Sequence, residues 1–177
     1  MNLIVGSVFF IIILLFLQLP NFLGGSYVWN HEFLNFTYLD RDIYPYAKII
    51  NFKLNKTLKT FNLTCKFNCD LTNDMSSYIH LEGYQFRSNE YRMGPINFNV
   101  KTCKLLGERS YGTTFLIKNS NITSCPVKKG YYHYYNFAFD SASVPRFVPS
   151  GRWKFVIQLF INEKMAAQCD WFVKIEN

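Results

Sequence analysis

Apolar and polar residues alternate with a two-residue period along much of this chain, and most cleanly at its C-terminal end. Trp153, Phe155, Ile157, Leu159 and Ile161 share one face against Arg152, Lys154, Gln158 and Asn162. After Asn162-Glu-Lys164 the pattern resumes, with Met165, Ala167, Cys169, Trp171, Val173 and Ile175 set against Gln168, Asp170, Lys174 and Glu176. Side chains alternate across a strand, so two amphipathic runs joined by a short turn predict a hairpin with one buried face. A third strand of the same C-terminal unit is predicted over Tyr131 to Phe139. It would place Tyr131, Tyr135, Phe137 and Phe139 on one face and Tyr132 and Tyr134 on the other, before Val148-Pro-Ser-Gly-Arg152 turns the chain.

The N-terminal half carries the same signal more weakly. Tyr44 to Leu54 is apolar on both faces, whereas Leu58 to Cys69 alternates well. There Phe61, Leu63, Cys65, Phe67 and Cys69 oppose Thr60, Asn62, Thr64, Lys66 and Asn68. A polar turn follows over Asp70 to Ser77, then a strand over Tyr78 to Arg87 with Ile79, Leu81, Tyr84 and Phe86. Ser88-Asn-Glu90 turns the chain and Gly94-Pro95 breaks it, after which Ile96, Phe98 and Val100 alternate up to Cys103. Tyr111 to Asn119 has no two-residue period and could hold a short helix in a longer connection. Seven or so short strands with turns between them and little helix predict an all-β chain folded as a β-sandwich.

The first residues change the picture from a fold to an address. Asn2 to Leu19 is almost wholly apolar, and Pro20 and Gly24-Gly-Ser26 follow it. This predicts a secretory signal peptide over residues 1–26, cut after Ser26 with Gly25 as a neighbouring option. An uncleaved anchor is the alternative, because the run approaches a membrane span and its leading residues carry no lysine or arginine. The small-residue exit and the absence of a basic stop-transfer cluster favour cleavage. Residues 27–177 then form one domain, with no repeat or long linker to divide it. Four Asn-X-Thr sequons, at Asn35, Asn55, Asn62 and Asn121, agree with export and are candidate glycan sites on the solvent side. Asn62 lies on the polar face of its strand, which supports that register independently.

The formal net charge of +7 is spread over polar faces and not gathered into a patch, so nucleic acid is not a predicted partner. Weak attraction to an anionic membrane surface is compatible with it. Five cysteines in an exported chain imply disulfides with one thiol left over. Cys103 and Cys125 flank the irregular segment, and a bond between them would staple that loop to the sheet. Cys65 and Cys69 are too far apart along an extended strand to pair with one another. Cys169 also points inward and is open to either, and three buried thiols are the alternative. No histidine stands at ligand spacing beside these cysteines, so a zinc site is not expected. The histidines 31, 80 and 133 sit in no nucleophile or acid-base setting, and no nucleophile elbow or phosphate loop appears. An enzyme is therefore not predicted, and no cofactor is.

One set of motifs carries a resemblance. Gly-Tyr-Gln-Phe-Arg-Ser-Asn-Glu-Tyr-Arg over Gly83 to Arg92, Cys103-Lys-Leu-Leu106, Cys125-Pro-Val-Lys-Lys-Gly130, Val144-Pro, Val148-Pro-Ser-Gly-Arg-Trp153 and a final hairpin occur in this order. Together they resemble the arthropod proteins of the ML lipid-recognition superfamily, in the ganglioside-activator-like branch that includes the insect chemosensory CheB proteins. The resemblance covers about Thr57 to Asn177. Cys65, Cys69 and Cys169 depart from it, and an expected early cysteine is missing.

The resemblance implies a secreted, immunoglobulin-like two-sheet sandwich with an apolar cavity between the sheets, holding a lipid or similar apolar molecule. A chemosensory ligand such as a pheromone belongs to that expectation, as does contact with a membrane surface or receptor. If the sheets part as in the family, the ligand meets Phe61, Leu63, Phe67, Phe98, Phe137, Phe155, Ile157 and Leu159, and Phe115, Leu116 and Ile117 sit at the mouth. Aromatics make up 19% of the chain, and such side chains either close a dry core or wall an apolar pocket. The alternative function is a secreted adhesive or receptor-binding sandwich without a cavity, for which Tyr132 and Tyr134 would be the exposed contacts.

Overall fold

A computed structural model describes residues 28–56, 58–72, 77–107, 119–137 and 148–176 of the chain. Among these residues it has strands β1 (Val28–Leu39), β2 (Tyr46–Lys53), β3 (Lys59–Phe67), β4 (Tyr78–Arg87), β5 (Glu90–Lys101), β6 (Gly130–Tyr134), β7 (Gly151–Ile161) and β8 (Lys164–Glu176). One short helix, α1 (Thr102–Gly107), follows β5. The strands form two antiparallel sheets, a larger one in the order β1-β8-β7-β4-β5 and a smaller one in the order β2-β3-β6. Their apolar faces pack together as the expected sandwich. The expected leader and its cut at Ser26 lie outside the described residues, as do Phe115, Leu116 and Ile117.

The C-terminal hairpin is the spine of the larger sheet. Trp153 pairs with Val173, Phe155 with Trp171 and Ile157 with Cys169, so the alternate apolar residues of both strands face the same way. Asn162 and Glu163 close the turn with φ of 50° and 63°. Positive φ at both central residues is the two-residue turn whose twist matches that of paired strands. Ser88 and Asn89 join β4 to β5 in the same way, with φ of 50° and 65°.

Three points of the sequence reading are corrected. β1 was not anticipated, because register shifts between His31 and Phe33 and between Phe36 and Tyr38 break its two-residue period. Gly94-Pro95 does not end β5 but sits in a bulge of this edge strand, where Gly94, Pro95 and Ile96 lie opposite Gly83 alone and proline needs no ladder hydrogen bond. Gly94 has its own reason to be there: a Cβ on it would lie 2.7 Å from Cζ3 of Trp153. The helix α1 was not expected, and the short helix expected within Tyr111 to Asn119 falls on residues that, but for Asn119, lie outside the described ones.

The third correction concerns β6, which ends at Tyr134 and belongs to the smaller sheet. It pairs with β3, with Cys65 opposite Tyr132 and Leu63 opposite Tyr134. Tyr132 and Tyr134 therefore face inward with Cys65 and Leu63, and Tyr131 and Tyr135 are 64% and 49% exposed. The predicted phase is reversed, and Tyr132 and Tyr134 are not surface contacts. Aromatics on both faces hid the inward side until β3 set it. Asn136, at φ 50°, then bends the chain so that Phe137 turns inward.

Candidate functional site

Two buried clusters close the ends of the space between the sheets. At one end Trp153 is fully buried and donates its indole N–H to the Pro149 carbonyl at 2.8 Å. Trp153 stacks on Phe155 at 5.9 Å between centroids, and Phe155 stacks on Trp29 at 5.6 Å. Phe61 of the opposite sheet stacks on Phe137 at 4.6 Å, and Phe137 meets Trp171 edge-on at 6.0 Å. Offset and edge-on arrangements are those that the aromatic quadrupole favours.

A polar clasp holds the same end. The Trp171 indole N–H donates to Nδ1 of His31 at 3.0 Å, so the imidazole proton sits on Nε2 and is donated to Oδ1 of Asn51, also at 3.0 Å. Asn51 completes the link by accepting from the Leu34 N–H and donating to the Leu34 carbonyl, both at 2.9 Å. This ties β1 to β2, one strand from each sheet. Burial holds the His31 pKa below its ordinary value, against the opposing pull of the Asn51 hydrogen bond.

The other end is closed by smaller groups and by a strap. Cys65, Phe67, Leu71, Ile122, Val127, Ile161, Ala166 and Ala167 form its buried core. Leu71 and Val127 exchange backbone hydrogen bonds of 2.7 and 2.9 Å, and the Cys103–Cys125 disulfide fastens the segment, as the sequence led us to expect. Cys65, Cys69 and Cys169 are free thiols.

Between the two clusters lies a belt of inward apolar residues that remain only half-buried. Leu81, Ile157, Leu159 and Cys169 supply it from the larger sheet, and Ile49, Leu63 and Tyr134 from the smaller. Most of these stand on strands with a neighbour on both sides, where a filled sandwich would bury them. Burial pushes the Cys169 thiol up to about 12 and raises the Tyr134 phenol as well, so both groups are deep in the protein. Ile49, Leu63, Leu81, Ile157 and Cys169 pack against the first cluster, and Tyr134 and Leu159 against the second. The Cys65 thiol is likewise pushed up to about 12, so neither it nor Cys169 is a thiolate nucleophile at neutral pH.

The expected lining residues fall into four groups. Leu63, Ile157 and Leu159 stand in the belt. Phe61, Phe67 and Phe155 are buried in the end clusters, with Phe137 half-buried against one of them. Phe98 is 37% exposed, because it lies on edge strand β5 beyond the cover of the smaller sheet. Phe115, Leu116 and Ile117 are outside the described residues. The sequence reading did not name Ile49, Leu81, Tyr134 or Cys169 as lining. The clean alternation of the hairpin already marked Cys169, and a fixed phase for Tyr78–Arg87 would have marked Leu81.

The candidate glycan sites differ in their surroundings. Asn35 and Asn55 are exposed, on β1 and in the turn after β2. Asn62 accepts the Asn136 N–H at 2.9 Å, and the Asn121 amide donates to the Tyr131 carbonyl and accepts the His133 N–H, both at 2.9 Å. A separate polar depression of about 300 Å³ is lined by Gln85, Arg87, Arg92, Met93, Gly94 and Pro95 at the β4–β5 hairpin.

Residues 79–155 match the family model DUF1091, described as a protein of unknown function. The matched segment runs from β4 into β7 and contains every motif block that carries the resemblance, apart from the final hairpin. A solved structure of a Niemann-Pick type C2 protein from Japanese carpenter ant is similar at 11% identity. The match covers 84% of this chain and 93% of that one, at a TM-score of 0.32, a value from which nothing is carried over. No curated protein matches.

Proposed function

We propose that this protein is a secreted carrier that holds a lipid or similar apolar molecule between its two sheets. The observation that carries this reading is the belt of Leu63, Leu81, Tyr134, Ile157, Leu159 and Cys169, inward apolar residues of both sheets that stay only half-buried between the two clusters. Apolar walls with few polar groups suit a ligand recognised by shape and burial. An acyl chain of about 14 carbons would gain roughly 10 kcal/mol gross at about 0.8 kcal/mol per methylene. Association costs of several kcal/mol reduce this to an affinity suited to uptake and release. The apolar leader and the sequons support export. A pheromone or other semiochemical as cargo is the finer reading that the motif resemblance supports. No catalytic step belongs to this reading.

The test is organic extraction and mass spectrometry of the protein secreted by eukaryotic cells, followed by titration of the stripped protein with a fluorescent fatty-acid analogue. We expect a co-purifying apolar molecule and saturable uptake of the probe. A folded, secreted protein that carries nothing and takes up no probe would leave an adhesive sandwich as the better account.

A further inference from the structure

The outer face of the larger sheet carries an aromatic surface that the ligand space does not explain. Phe33 of β1 stands opposite Phe172 of β8, with ring centroids 6.4 Å apart, and Tyr91 meets Phe172 edge-on at 5.7 Å. Phe33 is 46% exposed on a face that should be polar. Its open ring, backed by Phe172, is an apolar platform on an otherwise polar face.

The chain supplies an occupant for it two residues away. Phe33 and Asn35 pair in unbroken register with Phe172 and Asp170, so both project from the same outer face. Two residues of strand separate their Cβ atoms by about 7 Å. Asn35 is exposed, and Thr37 completes its sequon, also exposed on β1. The residues two before the other sequons are Lys53, Thr60 and Asn119, none of them aromatic.

We propose that an N-glycan on Asn35 folds back along β1 and stacks its first N-acetylglucosamine on Phe33, capping the aromatic surface of the larger sheet. A sugar linked to the Asn35 amide nitrogen starts within one residue pair of the Phe33 ring. One face of a pyranose presents C–H bonds that carry partial positive charge, and an aromatic face carries the complementary negative quadrupole. Phe172 backs the platform. The glycan thereby shields the outer face and leaves the intersheet belt free. This inference rests on the export half of the proposed function and is independent of the ligand.

The test is a double-mutant cycle in protein secreted from a cell line restricted to high-mannose glycans. Thr57→Ala, Thr64→Val and Thr123→Ala remove the other three sequons while keeping the Asn62 and Asn121 hydrogen bonds. Urea unfolding is then compared between protein trimmed by endoglycosidase H to one sugar on Asn35 and the Asn35→Gln form, each with Phe33, Phe33→Leu and Phe33→Ala. With Phe33 the single sugar should raise the folding equilibrium constant about two- to tenfold, the range of an aromatic contact. With leucine or alanine the gain should vanish. Phe33→Leu keeps an apolar contact with Phe172 and guards against a variant that fails to fold. An equal gain in all three backgrounds overturns the stacking, as does peptide mapping that finds Asn35 bare while the other sequons of the natural chain are occupied. All four sequons bare would instead refute export itself, and the stacking with it.

Discussion

The Trp153 end of the intersheet space and the belt beside it are built from the same alternating pattern on the same strands, yet one is buried and the other only half-buried. Along β7, Trp153 and Phe155 are buried while Ile157 and Leu159 are half-buried, and along β8 the change falls between Trp171 and Cys169. The difference lies in what faces them. Opposite Trp171 stand Phe137 and the His31–Asn51 clasp, which draw the sheets together. Opposite the belt stand Leu63, Ile49 and Tyr134, themselves only half-buried and without such a clasp. How deeply an apolar stripe is buried thus depends on what packs across from it, not on the stripe itself.

The strongest way to break the comparison is Trp153→Ala, which empties the closed end. We expect a loss of about 3–5 kcal/mol in urea unfolding, a large share of the stability of a domain. Opening the opposite end comes next. Cys103→Ala with Cys125→Ala should cost about 3 kcal/mol by the same measurement, because the bond closes a loop between residues separated by 22 positions. Gly94→Ala drives a methyl into the Trp153 ring and should cost about 1–3 kcal/mol, an overpacking penalty visible as a lowered Tm.

Ile157→Trp sharpens the contrast from the other side. A residue that walls a cavity can be enlarged into the space, so the variant should stay folded within about 1 kcal/mol of the parent while losing uptake of a fluorescent fatty-acid analogue. Failure to fold, with no folded state that has lost only the ligand, would make position 157 ordinary core.

The smallest effect is on pH. His31 titrates below its ordinary value of 6.5 in the folded protein, so the unfolded chain binds its proton first as pH falls. Its contribution to stability is therefore complete above about 6.5 and is lost as pH drops through the lower folded value. Lys59 pushes in the same direction and Glu32 opposes it. Urea midpoints compared at pH 7.5 and 5 should fall less for His31→Gln than for the parent. An unchanged slope would mean that the clasp tolerates the imidazolium.

Much of the fold was legible because the residues that carry it repeat with a clean two-residue period. The faces of Trp153 to Ile161 and of Leu58 to Cys69, the turn at Asn162, and the Cys103–Cys125 staple could all be read directly. β1 could not, since its two bulges move His31, Leu34 and Phe36 out of step. Nor could the inward side of Tyr131 to Tyr134, where tyrosines occupy both faces and only the pairing with Cys65 and Leu63 chooses between them.

What the sequence determined alone was therefore local: which segments extend, where they turn, and which of their faces is apolar. Which strands share a sheet, which tyrosines turn inward and how deeply each stretch of a stripe is buried were decided only in the tertiary structure. Those outcomes depend on the size and position of side chains far away in the chain, such as Phe137 against Trp171 and Asn51 against His31. A period in one strand carries no record of the volume that will stand opposite it.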